Sequence, residues 1–156
     1  MIAAATLALL ALAPPQQGRT PLGVFDSWGA FRDASPRRCY AIARPPGRGG
    51  EGQPFASIAT WPGDRVHHQL HIRLSRARHP RARVTLAIGE RRFELVAGDT
   101  DAWAPDPRTD AAVVAAMRSG RSMSVESISA AGRPFADTYA LKGAATAIDA
   151  AGLGCA

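Results

Sequence analysis

The sequence predicts a mainly β fold: an antiparallel β-sandwich or barrel-like domain with one short helix at about residues 110–119 and a C-terminal helix at about 144–151. Three observations predict it. Val66–Leu74 alternates, with Val66, His68, Leu70, Ile72 and Leu74 on one face and His67, Gln69, His71 and Arg73 on the other, the period of a half-buried strand. Short apolar runs are separated by turn signals, among them Gly89-Glu90 and Pro62-Gly63-Asp64. Helix signals are confined to the last third of the chain. With 156 residues and a hydrophobic fraction of 46%, the chain can bury one self-sufficient core, and disorder is excluded as a description of the whole.

The elements follow in order. Ile2–Ala13 is an apolar run of about a dozen residues, too short to span a bilayer and suited to a secretory leader. Ala11-Leu12-Ala13 has the small-x-small form of a cleavage site, although no Lys or Arg follows Met1 and Pro14 stands directly after. Residues 1–20 therefore read as signal peptide and linker, and 21–156 as a single domain. No other stretch approaches transmembrane length, so the mature protein is expected to be soluble. Val24–Phe31 spaces its aromatic residues three apart, and Arg38–Ala43 reads as a strand. Pro45–Pro54, rich in glycine and proline, is a loop. Phe55–Trp61 is a strand. Arg76–Arg83 is a basic, proline-containing connection. Val84–Ile88 and Arg91–Val96 flank Gly89-Glu90, which suits a type II′ hairpin. Asp99–Arg108 is an acidic, proline-broken loop carrying Trp103. About six or seven strands then give way to a helix from Asp110 to Ser119, capped by Thr109 and stopped by Gly120 as its C′ glycine. The strand Arg121–Ser129, the run Asp137–Gly143, in which Asp137 and Tyr139 are expected to tie the last strand to the final helix, and a small-residue helix from Ala144 to Ala151 close the chain.

Cys39 and Cys155 are the only cysteines. In an exported chain the natural pairing is one disulfide; two free buried thiols are the alternative. The formal net charge is +6, carried almost wholly by arginine, with Lys142 the sole lysine. Such a balance favours polyanions such as lipopolysaccharide, nucleic acid or anionic lipid; solvated surface is the plainer account.

Chemistry-bearing patterns are sparse. His67-His68-x-x-His71 is the only metal-like cluster, but along a strand His67 and His71 stand about 13 Å apart, too far for one ion without help from another strand. No metal and no cofactor is expected. No G-x-S-x-G elbow is present, and Ser122, Ser124, Ser127 and Ser129 read as ordinary strand residues. Asp99, Asp101, Asp106 and Asp110 crowd one loop without the spacing of a calcium loop; charge complementarity at a helix N-terminus accounts for them. Enzyme activity is not expected. Arg76, Arg78, Arg81 and Arg83 form the densest basic stretch and could clamp phosphates or sulfates, guanidinium being suited to bidentate contacts.

Five ordered pieces carry a family resemblance: Phe25-Asp26-Ser27-Trp28 followed by Cys39-Tyr40-Ala41-Ile42-Ala43; Val84–Gly89 running into Phe93-Glu94-Leu95; Asp101-Ala102-Trp103-Ala104; Ala115–Gly120; and Asp137–Gly143 leading to Cys155. Their order and spacing resemble the invasion-associated locus B family of exported bacterial proteins. The chain departs from that pattern at Ala130–Ala136, where the family has an Arg-Gly-Thr-like turn, and at Ala140, where a serine is frequent. The resemblance implies a periplasmic, secreted or cell-surface protein linked by name to host-cell invasion and virulence. The expected function is non-enzymatic binding of a protein or envelope component; the alternative is an envelope accessory holding polyanionic glycolipid through Arg76–Arg83.

Overall fold

The computed structural model describes residues 18–47 and 52–156; the expected leader and the centre of the Gly/Pro loop lie outside the described residues. Among the described residues, ten strands and two α-helices follow in the order β1 (Arg19–Phe25), β2 (Trp28–Ala34), β3 (Arg37–Ala43), β4 (Phe55–Trp61), β5 (Val66–Arg73), β6 (Val84–Ile88), β7 (Arg91–Ala97), β8 (Asp101–Trp103), α1 (Pro107–Ser119), β9 (Ser122–Ile128), β10 (Pro134–Ala140) and α2 (Ala144–Gly154). All pairings are antiparallel, in the order β1-β2-β3-β4-β5-β8-β7-β6-β9-β10. The fold class is as predicted. The sheet is not closed: β1 and β10 are its two edges.

The sheet curls so that side chains from β2 through β10 share a single core with both helices. The small-residue helix α2 lays Ala144, Ala147, Ile148 and Ala151 against β1, β2 and β3, while α1 buries Val113, Val114 and Met117 against β5 and β7. Trp28, fully buried, spans the gap between the two ends of the sheet by donating its indole N–H to the Ala140 carbonyl at 2.8 Å. Cys39 and Cys155 are disulfide-bonded across a sequence separation of 116 residues, tying the end of α2 to β3.

Several elements differ from expectation for identifiable reasons. Residues 24–31 form a hairpin, with Asp26 at φ 52° in a two-residue turn, and β1 takes in Arg19 and Thr20 from the expected linker. The acidic loop contains β8, a three-residue strand that forms because β5 and β7 offer it partners on both sides. Helix α1 starts three residues early: Pro107 occupies its first position and Asp106, not Thr109, is the cap, its carboxylate accepting the Thr109 N–H at 2.7 Å. Gly120 ends the helix in extended conformation (φ −81°, ψ 159°), so it is not the left-handed C′ glycine expected. A Cβ there would lie 2.8 Å from the Ile88 methyl and 3.1 Å from the Ala116 carbonyl oxygen, so close packing requires the glycine. Asp137 ties β10 to the chain after β5, accepting the Ser75 N–H at 2.9 Å, rather than to the final helix. The β6–β7 hairpin is as predicted, with positive φ (58°) at Gly89.

Candidate functional site

The connection between β5 and β6 carries the four arginines singled out above. It is a pinned strap, because Arg78 N–H donates to Asp99 O, His79 N–H to Ile128 O and Ala130 N–H to Ala77 O. The Arg78 guanidinium is taken up by backbone carbonyls: Gly98, His79, Pro80, Ala82 and Ala97 accept from it at 2.8–3.1 Å. It therefore organises the strap. Arg76, Arg81 and Arg83 project into solvent. Arg83 stands 3.4 Å from Glu94, but both side chains are largely exposed, and such a pair is weak.

The strap's two ends open on adjoining hollows. Arg76 lines a slot of about 580 Å³ with Pro45, Pro46, Pro54, Ser75 and β10 residues 134–138. Arg83 lines a shallower, more apolar groove of about 700 Å³ with Ile128 and the start of β10. Pro134, Phe135 and Ala136 belong to both walls. Arginine and exposed apolar surface are thus brought side by side, a pairing that the sequence pattern of the strap alone did not reveal.

The histidines are placed apart. His67 is exposed and His68 is half-buried with φ 55°, at a register shift between β4 and β5 that breaks the simple alternation. Burial and the nearby Arg118 charge hold His68 below the usual imidazole range. His71 lies on the outer sheet face, its Nε2 2.8 Å from Asp101 and its ring stacked on Trp103 at 5.2 Å with Phe55 edge-on at 5.0 Å. Arg73 and the Thr100 hydroxyl complete the Asp101 shell. Partial burial would raise the Asp101 pKa, but bonds from His71 and Thr100 and the Arg73 charge outweigh it and hold the carboxyl low. Among the described residues, no group of three or more His, Cys, Asp or Glu side chains could hold a metal ion.

The aspartates crowded in sequence are dispersed in space. Asp101 serves the outer face, Asp106 caps α1, and Asp110 is buried, its Oδ1 accepting the Leu70 N–H at 2.8 Å. Desolvation raises the Asp110 pKa despite that bond. The Ser127 hydroxyl donates to Arg83 O at 2.8 Å, and the Ser129 hydroxyl accepts from the Arg133 N–H; both are structural. A second basic cluster went unremarked in the sequence. Arg38 lies over both Tyr40 (4.4 Å) and Trp61 (5.0 Å), and Asp33 bridges it to Arg19. The alternation of Arg38 and Tyr40 along β3 was the available signal. Its residues satisfy one another, whereas Arg76, Arg81 and Arg83 face solvent.

No curated protein and no solved structure matches the chain. The family model described as "Invasion associated locus B (IalB) protein" matches residues 32–152. That span runs from β2 through most of α2 and includes the strap, both hollows and Cys39. The chain belongs to the invasion-associated locus B family.

Proposed function

We propose that this protein is an exported, non-enzymatic binding protein of the bacterial envelope, acting in the periplasm or at the cell surface, and that it engages a protein or envelope partner in host interaction. Family membership supports the envelope and invasion-linked setting. The Cys39–Cys155 bond supports an oxidising compartment, and no helix among the described residues is long and apolar enough to cross a membrane. The observation that carries the binding reading is the juxtaposition at β10: solvent-facing Arg76 and Arg83 flank two confluent hollows walled by Pro134, Phe135 and Ala136. Apolar surface beside solvent-exposed guanidinium groups is the composition of a recognition surface. The structural bonds of Asp101, Asp106 and Asp110, and the His71–Asp101 contact, support the same reading.

A second reading, adhesion to a polyanionic glycolipid, is favoured by the exposure of Arg76, Arg81 and Arg83 on one strap. Capture of partners from envelope and host-membrane extracts at two salt concentrations separates the two, with Arg76→Ala/Arg81→Ala/Arg83→Ala as control. A specific protein held at high salt supports the partner reading. Capture only at low salt, abolished in the control, would replace it with electrostatic adhesion. Turnover on a hydrolase panel would refute both.

A further inference from the structure

The two edges of the sheet are not alike. β1 carries Pro21 and a register shift between Pro21 and Gly23, devices that blunt an edge against further pairing. β10 runs in unbroken register with β9 from Pro134↔Ile128 to Ala140↔Ser122 and is exposed at every second residue. The hydrogen-bonding side of each residue can be assigned. Leu141 N–H donates to Arg121 O, and Ser129 N–H to Arg133 O, both in the β9–β10 register. Odd-numbered residues of β10 therefore exchange bonds with β9, and even-numbered residues turn their backbone groups to the free edge. The Ala140 carbonyl agrees, since it accepts from Trp28. Pro134 agrees too, because its missing N–H falls on the open side, where proline is tolerated. Ala136 and Thr138 are left with backbone donors and acceptors that have no backbone partner among the described residues.

Ala136 and Thr138 line the slot of about 580 Å³, which Pro45, Pro46, Pro54, Ser75 and Arg76 also line. We infer that this slot accepts an extended, acidic peptide segment of a partner protein, which adds to the sheet as a further strand beside β10. Main-chain bonds to Ala136 and Thr138 supply affinity in such strand addition. Charge complementarity selects the acidic occupant. Arg76 lines the slot and Arg133 precedes β10; both are exposed and neither is in an ion pair among the described residues. The one acid on the wall among the described residues, Asp137, is buried and spent on the Ser75 N–H. This inference rests on the binding reading above and gives its partner a chemistry.

The experiment uses the oxidised protein and an array of decapeptides rich in Val, Ile and Thr, each carrying either Glu or Gln at matched positions. Calorimetry on the tightest binder is repeated with alternate peptide nitrogens methylated and with the variants Ala136→Pro and Thr138→Pro. Each proline removes one free-edge N–H and leaves the β9 ladder intact, so melting temperatures should stay within a few degrees of the parent. The expected results are micromolar binding of Glu peptides, a tenfold or greater loss in each proline variant and on methylation of one peptide register only, and a three- to tenfold loss in Arg76→Ala that vanishes at high salt. In the unaltered protein, peptide should shift the amide resonances of Ala136 and Thr138, a readout that stands even if a variant folds poorly. No bound peptide, unmoved amide resonances, or full affinity in both folded proline variants would overturn the assignment. So would concentration-dependent dimerisation lost in Ala136→Pro, which would make a second copy the occupant. A partner still captured at high salt by the proline variants would leave the binding reading standing and remove only the edge.

Discussion

Reduction of the Cys39–Cys155 bond is the perturbation whose size is best defined by the structure. The bond closes a loop of 116 residues, and in the chain-entropy description a loop of that size restricts the unfolded state by about 5 kcal/mol at 25 °C. For a domain of roughly 140 residues each kcal/mol moves the melting temperature by about 3–4 °C, so full reduction should lower it by about 15 °C. The effect should begin locally. α2 buries three alanines and one isoleucine, a modest apolar area, and its N-cap residue, Gly143, provides no side-chain cap, so the covalent bond is its main anchor. Calorimetry with and without reductant measures the shift with no residue substituted. Hydrogen exchange should show Ala144–Gly154 losing protection before the β3–β4 core. A reduced protein melting within about 3 °C of the oxidised one, with both thiols shown to be free, would refute the view that the bond holds α2 on the sheet.

Four further outcomes are expected. Arg78→Ala should cost about 2–3 kcal/mol in chemical denaturation, because five carbonyls lose a charged donor; Arg78→Lys should recover less than half, since an ammonium cannot span the same acceptors. Asp110→Ala should cost about 1–3 kcal/mol by orphaning the buried Leu70 N–H. Asp110→Asn should cost less, and the cost of both variants against the parent should shrink as pH rises from the unfolded carboxyl pKa through the raised folded one, because burial lifts the folded-state pKa of Asp110 and only the parent titrates there. Equal stability of the two Asp110 variants at neutral pH would contradict this. Gly143→Ala should cost at least about 3 kcal/mol, since Gly143 sits at φ 86° and a Cβ would run into the Phe25 carbonyl; a melting curve like that of the parent would show the contact to be relieved. Acid titration should destabilise the outer face through Asp33, whose carboxyl is drawn upward by partial burial but held low by bonds from Arg19 and Arg38. Its contribution is present above the unfolded carboxyl pKa and lost as pH falls through the lower folded one, which Asp33→Asn should flatten.

What was legible in the sequence was what depends on local pattern. The alternation of Leu70, Ile72 and Leu74 and the positive-φ glycine at position 89 each state their structure within a few residues, and both were read correctly. Two pieces escaped: the β1–β2 hairpin, whose residues show only aromatics three apart, and β8, whose Asp101-Ala102-Trp103 has no strand signature and exists only because β5 and β7 are already there to pair with it. The cap of α1 escaped for a subtler reason. Thr109 and Asp106 are both good caps in isolation, and only the position of Pro107 at the start of the first turn decides between them. Asp137 read as a tie to the final helix because that helix is its neighbour in sequence, whereas Ser75 is its neighbour in space. Tertiary proximity settled β8 and Asp137, whereas the local signal of Pro107 settled the cap.

The same distinction explains why the arginines could be located by sequence but not ranked. Arg76, Arg78, Arg81 and Arg83 are equivalent as a basic run, yet the fold assigns Arg78 to five carbonyls and leaves the other three in solvent. A basic stretch states charge; it does not state which charge is spent. The edge of β10 follows the same logic in the opposite direction. Pro134–Ala140 looks like any short strand, and nothing in its residues says that it is the last in the sheet. Sheet order places it there, and the parity of its ladder turns Ala136 and Thr138 outward. The pattern that draws attention and the pattern that can bind therefore meet at one place, Arg76 against Pro134–Thr138, for reasons that belong to topology. A partner selected by charge alone would be indifferent to Ala136→Pro; one that pairs with the edge would not. That single contrast separates an adhesive surface from a recognition site.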